Sequence, residues 1–312
     1  MSALSGVPDL EIKLLWWNVG LAPLGNEKKL LVGESEEMAK HLILMLRDLD
    51  LDLLCLGEVG AEFLECIEAV LDCSEYKVFN GVQTIDRVRF DSCVIYRSTK
   101  LAFQHAAPVV LNYMAASQKI SHKLIYKVVA TEEAFVLYVL HWPSRLSHGP
   151  EEAYRNFLGV NLRASVNQVF KMFGCSANII ALGDFNDEPF NGSMSNYLGA
   201  SRDRRLVRER EEFGFFYNPF WQFLVSPLKY NRSEASVPDF GTYAHSSSEA
   251  VTKSYVFDQM LFSSSFISKG PWHLEEDTVS IFDEGHAVAG RFVKAVGSDH
   301  LPIYAEVKRV MI

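Results

Sequence analysis

The sequence contains few cysteines, and their spacing does not indicate a metal site. Five occur in 312 residues, an odd number, and no two of them form a Cys-x-x-Cys pair. Cys55, for example, lies inside the apolar run 53–56. This pattern predicts reduced structural thiols, and it argues against a disulfide framework or a zinc site.

Long hydrophobic runs are also missing. No segment offers about 18 uninterrupted apolar residues, which is the length that a transmembrane helix requires. The first ten residues have neither the basic region nor the long apolar region of a signal peptide. We therefore expect no membrane span and a cytoplasmic location.

Positive charge is in deficit. Lys and Arg number 30 against 39 Asp and Glu, which gives a net charge of −9. The surface as a whole should not attract polyanions, although a metal-bearing cleft would itself be rich in carboxylates. A basic cluster comprises Arg202, Arg204, Arg205, Arg208 and Arg210. Because acidic residues are interleaved with it, the cluster fits either a nucleic-acid contact or a solvated helix face with intrahelical ion pairs.

What the chain does contain is enough apolar sequence for a large core. Hydrophobic residues make up 48% and the mean hydropathy is +0.03, values typical of an ordinary globular protein. The most linker-like stretches, 231–238 and 246–248, are short and are interpreted as surface loops. We therefore expect a single domain over residues 1–312.

The apolar pattern alternates between strand-like and helix-like segments. Strands are predicted at residues 11–19, 51–56, 178–182, 254–262 and 301–310, and helices at 35–49, 61–71 and 151–173. Five further β-like runs, 76–79, 90–96, 101–111, 119–130 and 134–140, follow one another without a helix and predict an antiparallel meander. This order favours a mixed α/β (α+β) fold, with sheets covered by helices in a four-layer αββα sandwich.

Polar residues able to bind a divalent cation or transfer a proton recur where predicted strands end. They are Asn18, Glu58, His141, Asp184, Asn186, Asp258, Asp299 and His300. Taken singly, an Asp or Asn after a strand usually only forms a turn. Taken together, they indicate a site at one end of a sheet, because loops at strand ends are where a rigid sheet can present such groups together.

The same residues lie in six short motifs. These are Trp17-Asn18-Val19-Gly20, Gly57-Glu58, His141-Trp142-Pro143-Ser144, Gly183-Asp184-Phe185-Asn186, Phe257-Asp258-Gln259 and Gly297-Ser298-Asp299-His300-Leu301-Pro302. In that order they resemble the motifs of the endonuclease/exonuclease/phosphatase superfamily, over about residues 11 to 308. The resemblance implies the fold of deoxyribonuclease I and metal-dependent hydrolysis of a phosphoester.

The resemblance also implies roles for individual residues. Glu58 would be the main Mg²⁺ ligand, with Asn18 and Asp299 near the metal, and Mn²⁺ could substitute. Asp184 and Asn186 would orient the attacking water and hold the phosphate. His300, paired with Asp258, would act in proton transfer, while the direction of that transfer stays open. His141 would contact the scissile phosphate or protonate the leaving oxygen.

Oxygen-rich side chains suit this cation, because Mg²⁺ is commonly held by one or two carboxylates together with substrate phosphate oxygens. Two arginines are further candidates for substrate phosphate. Arg145 fits either a bidentate phosphate contact or a surface ion pair, and Arg87 is the second candidate.

The chain departs from the family pattern at Gly57, where many members have Gln. An aromatic stretch at 215–221, followed by Gly241-Thr242-Tyr243, fits either an apolar plug of the core or an aromatic wall for a base or an acyl group.

These features predict a phosphodiesterase, and specifically a nuclease of endonuclease type that hydrolyses DNA or RNA by metal-assisted water attack. Nucleic acid would then be its main partner. The alternative is a phosphatase or phosphodiesterase acting on a small or lipid-like phosphoester, which the acidic net charge would suit. A catalytically inactive binding module is disfavoured, because all eight polar positions are retained.

Overall fold

A computed structural model describes residues 10–22, 32–113, 116–145, 153–225, 240–245 and 252–310. In chain order the strands are β1 (Leu10–Asn18), β2 (Leu53–Gly57), β3 (Tyr76–Asn80), β4 (Gln83–Ile85), β5 (Val88–Phe90), β6 (Cys93–Arg97), β7 (Leu101–Tyr113), β8 (Ala116–Val128), β9 (Ala134–His141), β10 (Asn178–Asp184), β11 (Ala200–Ser201), β12 (Phe216–Tyr217), β13 (Tyr243–Ala244), β14 (Ser254–Tyr255), β15 (Asp258–Ser263), β16 (Trp272–Ile281) and β17 (Ile303–Arg309).

The α-helices are α1 (Val32–Asp48), α2 (Ala61–Val70), α3 (Ala153–Phe173), α4 (Arg204–Glu209) and α5 (Gly290–Val296). A π-helical segment, Ser193–Leu198, follows β10, and short 3₁₀ segments span Glu211–Phe213, Pro219–Leu224 and Ser264–Phe266. None of the helices in this part of the chain is long and apolar enough to cross a membrane.

Most strands form two sheets. One has six strands in the order β16-β17-β1-β2-β6-β3, and the other has seven in the order β11-β12-β15-β10-β9-β8-β7. The strands β4 and β5 form a small hairpin, and β13 pairs with β14. The predicted meander over 76–141 is therefore divided between the two sheets, although its neighbouring strands are antiparallel as expected.

Three apolar clusters define four layers. The central cluster joins the facing sides of the two sheets, for example Leu14 of β1 and Leu137 of β9. The outer side of the six-stranded sheet packs against α1, α2 and α5, and the outer side of the seven-stranded sheet packs against α3 and the π-helical segment. The four-layer αββα prediction is confirmed. Strand β2 is buried along its whole length, as its continuous apolar run predicts.

Several sequence-based boundaries were wrong. The run 90–96 is broken at Asp91 and Ser92, between β5 and β6, and the run 254–262 is broken at Val256 and Phe257. Helix α5 and strand β16 were not predicted from the sequence. In β16, consecutive acidic residues obscure the alternation of apolar and polar side chains that marks a strand. The stretches 231–238 and 246–248 lie outside the described residues.

The strand register brings the candidate residues together. Asp184, the last residue of β10, lies directly opposite His141 at the end of β9 and opposite Asp258 at the start of β15. In the other sheet, Asn18 at the end of β1 lies opposite Gly57 at the end of β2, so Glu58 follows directly beside Asn18. Because the two sheets pack face to face, both sets of strand ends meet at one edge of the sandwich.

Candidate active site

The centre of the site is a row of three buried residues, His141, Asp184 and Asp258, contributed by adjacent strands. Asn18 reaches this row from the opposite sheet. Its amide nitrogen donates to Asp184 Oδ2 at 3.3 Å and to Glu58 Oε1 at 3.2 Å. The two carboxylates are therefore bridged across the sheet interface by one side chain.

Glu58 is held in a left-handed backbone conformation, with φ of 53°, which is uncommon for a residue other than glycine. Its carbonyl oxygen accepts hydrogen bonds from the backbone N–H groups of Leu21 and Ala22. These bonds fix the strained conformation. Strain of this kind persists where the surroundings determine it and is frequent at functional sites.

His300 is oriented by Asp258, as the sequence predicts. The imidazole Nδ1 lies 2.7 Å from Asp258 Oδ2, and the other oxygen of Asp258 accepts from the indole Nε1 of Trp16 at 2.7 Å. Gly57 makes room for that indole, because a Cβ at Gly57 would lie 2.6 Å from the Trp16 ring. The departure from the family pattern at Gly57 thus makes room for the tryptophan that holds Asp258.

A second His–Asp pair was missed at the sequence level. His141 Nδ1 lies 2.9 Å from Asp91 Oδ2, and the other oxygen of Asp91 accepts from Lys119 Nζ at 2.5 Å. Asp91 occupies the break between β5 and β6, where a continuous strand was predicted. A polar residue interrupting an apolar strand was the available signal. Both imidazoles point Nε2 at Asp184 Oδ2, at 3.8 Å each.

The buried carboxylates control the protonation of both histidines. Burial alone would lower the pKa of His300, but Asp258 and Asp184 outweigh it and raise the pKa to about 10. Burial likewise opposes protonation of His141, and Asp91 outweighs it, so that the pKa of His141 is raised. Each Nδ1–H donates to its carboxylate, and protonation adds an Nε2–H that faces the centre of the site.

Asp184 has the opposite balance. Burial raises the pKa of its carboxyl, and neighbouring Asp258 adds to this, while His300 and His141 act in the other direction; the net shift is upward. Asn186 holds the carboxylate in place, since its backbone N–H donates to Oδ1 at 2.7 Å and its amide to Oδ2 at 3.1 Å. A carboxylate of raised pKa accepts a proton from water more readily than an ordinary one.

Behind the Asp184 loop lies Arg155 of α3, a buried arginine that the sequence did not reveal. It donates to Asp187 Oδ1 at 2.7 Å, to the carbonyl of Phe185 at 2.7 Å and to the carbonyl of Pro143 at 2.8 Å. Arg155 therefore connects the loop after His141 to the loop after Asp184. A single inward-facing arginine on an amphipathic helix was the only sequence signal.

Arg145 forms an ion pair, but with the buried carboxylate of Asp187, at 3.3 Å, and not at the surface. Its guanidinium donates to the Asn186 carbonyl at 2.9 Å and to Asn191 Oδ1 at 2.6 Å. It also lies 4.7 Å from the ring centre of Phe257. These contacts position the Asp184 loop, and contact with a substrate phosphate stays a prediction. Arg87 is exposed at the turn of the β4–β5 hairpin, in a groove that His141 also lines.

Two overlapping groups of ligands could hold a divalent cation, and Asp184 belongs to both. One comprises Asp184, Asp258 and His300, whose ligand atoms lie within 4.8 Å of one another. The other comprises the carboxylates of Asp184 and Glu58, towards which Asn18 presents its amide nitrogen, while its Oδ1 accepts from the Gly20 N–H at 3.2 Å. Both oxygens of Asp258 already have partners at 2.7 Å. Glu58 accepts only the longer bond from Asn18 among the contacts of the described residues. The oxygen donors around Glu58 therefore fit a hard cation better.

Asp299 is exposed, in contrast to its neighbour His300, and its carbonyl oxygen accepts from the Ala244 N–H. Its charge contributes to the raised pKa values of His300 and Tyr243. The carboxylate therefore lies within electrostatic reach of the site, and its direct ligation of a metal stays a prediction.

The arginine cluster lies away from the row of His141, Asp184 and Asp258. Arg208 lines a groove with Asn178, the first residue of β10, whereas Asp184 is the last. The seven residues of β10 place Asn178 and Asp184 about 20 Å apart. Ion pairs join Arg204 to Glu276, Arg205 to Glu209 and Arg210 to Glu212. The solvated-face interpretation of the cluster is therefore favoured, although α4 is short.

The aromatic stretch 215–221 mostly fills the core, since Phe216 and Phe220 are completely buried in two of the apolar clusters. Tyr243 is different. Its ring centre lies 4.7 Å from that of His300 and 5.3 Å from that of Phe257. The part of the predicted aromatic wall that borders the site is therefore Tyr243.

We expect Arg155→Met to lower the free energy of unfolding by about 3–5 kcal/mol, because Asp187 would remain buried without its main charged partner. Urea-induced unfolding measures the change. Arg205→Met is a matched control, because Arg205 is exposed and its ion pair with Glu209 lies at the surface, and a change within about 0.5 kcal/mol is expected there. A loss below 1 kcal/mol for Arg155→Met would contradict the proposal that Arg155 stabilises the loops after His141 and Asp184 by connecting them.

The raised pKa of His300 predicts a specific pH dependence of stability. Its contribution is complete below the unfolded-state value of about 6.5 and is lost as pH rises through about 10. The stability difference between the protein and His300→Gln should therefore shrink between pH 7 and 10, measured by denaturation in EDTA. The exposed His105, changed to Gln, is the control. A difference that stays constant over this range would rule out the charged pair.

Comparison with known proteins gives a family and a fold. The model of the Endonuclease/Exonuclease/phosphatase family matches residues 64–309, a range that includes His141, Asp184, Asp258 and His300 but not Asn18 or Glu58. No match was found among curated proteins.

Solved structures of similar fold include the human Nocturnin catalytic domain with bound sulfate, at 16% identity and a TM-score of 0.61, covering 97% of this chain and 96% of that one. An endonuclease/exonuclease/phosphatase family protein from Bacteroides thetaiotaomicron has 16% identity and a TM-score of 0.59, covering 97% and 99%. D. rerio TDP2 with a single-strand DNA product has 17% identity and a TM-score of 0.56, covering 95% and 98%. The chain therefore belongs to the endonuclease/exonuclease/phosphatase family and has its deoxyribonuclease I-like fold.

Proposed function

We propose that the protein is a Mg²⁺-dependent phosphodiesterase that hydrolyses nucleic-acid phosphodiester bonds. The observation that carries the proposal is the position of Asp184 in the row His141–Asp184–Asp258, where it lies between the imidazoles of His141 and His300. Each imidazole is hydrogen-bonded to a further carboxylate, that of Asp91 for His141 and that of Asp258 for His300. Such a row can place a water beside a base and hydrogen-bond donors beside a phosphate. The nucleic-acid substrate is further supported by the similar fold of D. rerio TDP2, which was solved with a single-strand DNA product.

The cation would be held by Glu58 with Asn18, close to Asp184, and Asp299 would contribute from the exposed side. Bound Mg²⁺ would stabilise the negative charge that develops on the phosphate, and Mn²⁺ could take its place. The described residues around Glu58 place no Lys or Arg against its carboxylate, and the imidazole of His141 is 3.7 Å away. Since that imidazole is already paired with Asp91, the Glu58 carboxylate suits a metal ligand.

The other residues would act on water and phosphate. Asp184, held by Asn186 and raised in pKa, would orient the water and accept its proton. His300 and His141 would donate their Nε2–H groups to the phosphate and to the leaving oxygen. Both imidazoles stand at the same distance from Asp184, so each can reach the leaving oxygen of a phosphate held there.

One observation favours the alternative of a small phosphoester as substrate. The arginines that suggested a nucleic-acid surface lie near the start of β10 and are largely paired with acids, and the net charge is −9. The half-buried ring of Tyr243 beside His300 would suit the flat or apolar part of such a substrate as well as a nucleobase.

We expect hydrolysis of at least one phosphodiester among plasmid DNA, single-stranded DNA, RNA and bis(p-nitrophenyl) phosphate, in Mg²⁺ and not in EDTA. Asp184→Ala controls for contaminating nuclease, and His300→Ala should lower the chemical rate by roughly 10²-fold or more. The sizes of products separate endonuclease from exonuclease. Cleavage of p-nitrophenyl phosphate alone would favour the monoester alternative, and full activity of His300→Ala would remove the mechanism.

The assignment of the cation to Glu58 predicts that Glu58→Gln binds Mn²⁺ at least about tenfold more weakly, a loss of about 1.4 kcal/mol, because the carboxylate that would hold the cation loses its charge. Calorimetric titration with Mn²⁺ measures this without turnover. Glu62→Gln, an exposed acid on α2, is the matched control. Equal Mn²⁺ affinity in Glu58→Gln and in the unchanged protein would assign the cation site to Asp184, Asp258 and His300 instead.

A further inference from the structure

A groove of about 250 Å³ opens beside His141, between the β4–β5 hairpin and the start of β8. Its lining includes Arg87, Arg89, Gln118, Lys119, His141 and Trp142. Arg87, Arg89 and Lys119 are basic and none of the residues in this lining is acidic, although Lys119 is paired with Asp91. The groove therefore has a basic lining, which its arginines dominate, next to the proposed catalytic centre.

This concentration of positive charge is unusual for the chain, whose net charge is −9. The groove beside Asn178, with a volume of about 630 Å³, is lined by two basic residues, Arg208 and Lys269, and by three glutamates. Size alone therefore does not make a groove basic in this protein. An anion would be attracted to the groove beside His141 and not to the larger one.

The groove is continuous with the catalytic row. His141 lines it and also faces the centre of the site, where its Nε2 lies 3.8 Å from Asp184 Oδ2. Lys119 is tied to Asp91 at 2.5 Å, so the same carboxylate supports the histidine and the lysine. A substrate held at Asp184 would extend directly towards the arginines.

The hairpin that carries the arginines is anchored. Val88 and Phe90 are buried, and Asp86 at the turn accepts a hydrogen bond from Ser117 of β8 at 3.1 Å. Arg87, next to Asp86, is thus presented from a fixed turn. A guanidinium in a defined place can bind a phosphate through two parallel hydrogen bonds, which an ammonium cannot do.

We propose that this groove binds a second phosphate of the substrate, next along the molecule from the phosphate that is hydrolysed, and that Arg87 is its main contact. The inference rests on the proposed function and deepens it, because it selects substrates with at least two phosphates. That second phosphate could belong to the neighbouring nucleotide of a strand or to a small bisphosphate, and the chemistry of recognition is the same.

Three thymidine dinucleotides, without a terminal phosphate, with a 5′-phosphate or with a 3′-phosphate, test the strand source. Thymidine 3′-monophosphate and thymidine 3′,5′-bisphosphate test the small-molecule source. In each series we expect the second phosphate to raise kcat/KM, mainly through KM. Arg87→Gln should reduce that gain by about tenfold or more, and Arg87→Lys should restore only part of it. The dinucleotide that shows the gain identifies which side of the scissile bond enters the groove.

Arg205→Gln removes the same charge from the opposite end of the sheet and should leave the gain unchanged. Calorimetry compares the binding of thymidine 3′,5′-bisphosphate with that of thymidine 3′-monophosphate and requires no turnover. It therefore tests the phosphate-binding groove separately from the proposed hydrolytic function. If no substrate is cleaved but Arg87→Gln weakens only the bisphosphate, the groove stands and the proposed function fails. If cleavage occurs and the second phosphate raises kcat/KM equally in the unchanged protein and in Arg87→Gln, the groove is not a phosphate site. The same conclusion follows if Arg87→Gln does not weaken the binding of the bisphosphate relative to the monophosphate.

Discussion

The burial of three carboxylates at one edge of the sandwich constrains everything around them. Asp91, Asp184 and Asp258 are each buried, and a buried charge is costly unless a partner compensates it. Asp91 has His141 and Lys119, and Asp258 has His300 and the Trp16 indole. Asp184 lies 3.8 Å from the imidazoles of both pairs, so with both imidazoles protonated the three carboxylates face two imidazolium groups and Lys119. The cluster is therefore balanced within itself, and Glu58 beside it is the carboxylate that would attract a cation from outside the chain.

The fold supplies this cluster through strand register. Parallel pairing of β9 with β10 and antiparallel pairing of β10 with β15 place three strand termini in one row. Gly183 permits that row, because a Cβ there would lie 1.9 Å from the Leu140 carbonyl oxygen and its φ of 149° is poorly accessible to other residues. The six-stranded sheet contributes Asn18 and, directly after β2, Glu58. The positions of these side chains are therefore fixed mainly by the backbone hydrogen bonds between strands and less by loop conformation.

The sequence predicted the parts of this arrangement that depend on local pattern. Strand β2 follows from its apolar run, and the residues of the row follow from motifs that end strands. The structure showed what depends on distant pairing. Asp91 was hidden inside an apparently continuous strand, and Trp16 among core aromatics, because their partners His141 and Asp258 lie 50 and 242 residues away. Arg155 was hidden in the same way, since helical spacing shows which face is buried but not what a buried arginine contacts.

Charge is the property for which sequence-level reasoning and structure diverge most. A net charge and a run of arginines describe the chain as a whole, whereas screening in physiological salt limits an exposed charge to about 8 Å. An arginine beside Asn178 is roughly 20 Å from Asp184 along the strand, so it cannot offset a substrate phosphate there. Arg87 and Lys119 border the groove that begins at His141. At that end of the sheet, buried carboxylates in the row and basic residues in the adjacent groove set the local charge, whatever the net charge of the chain.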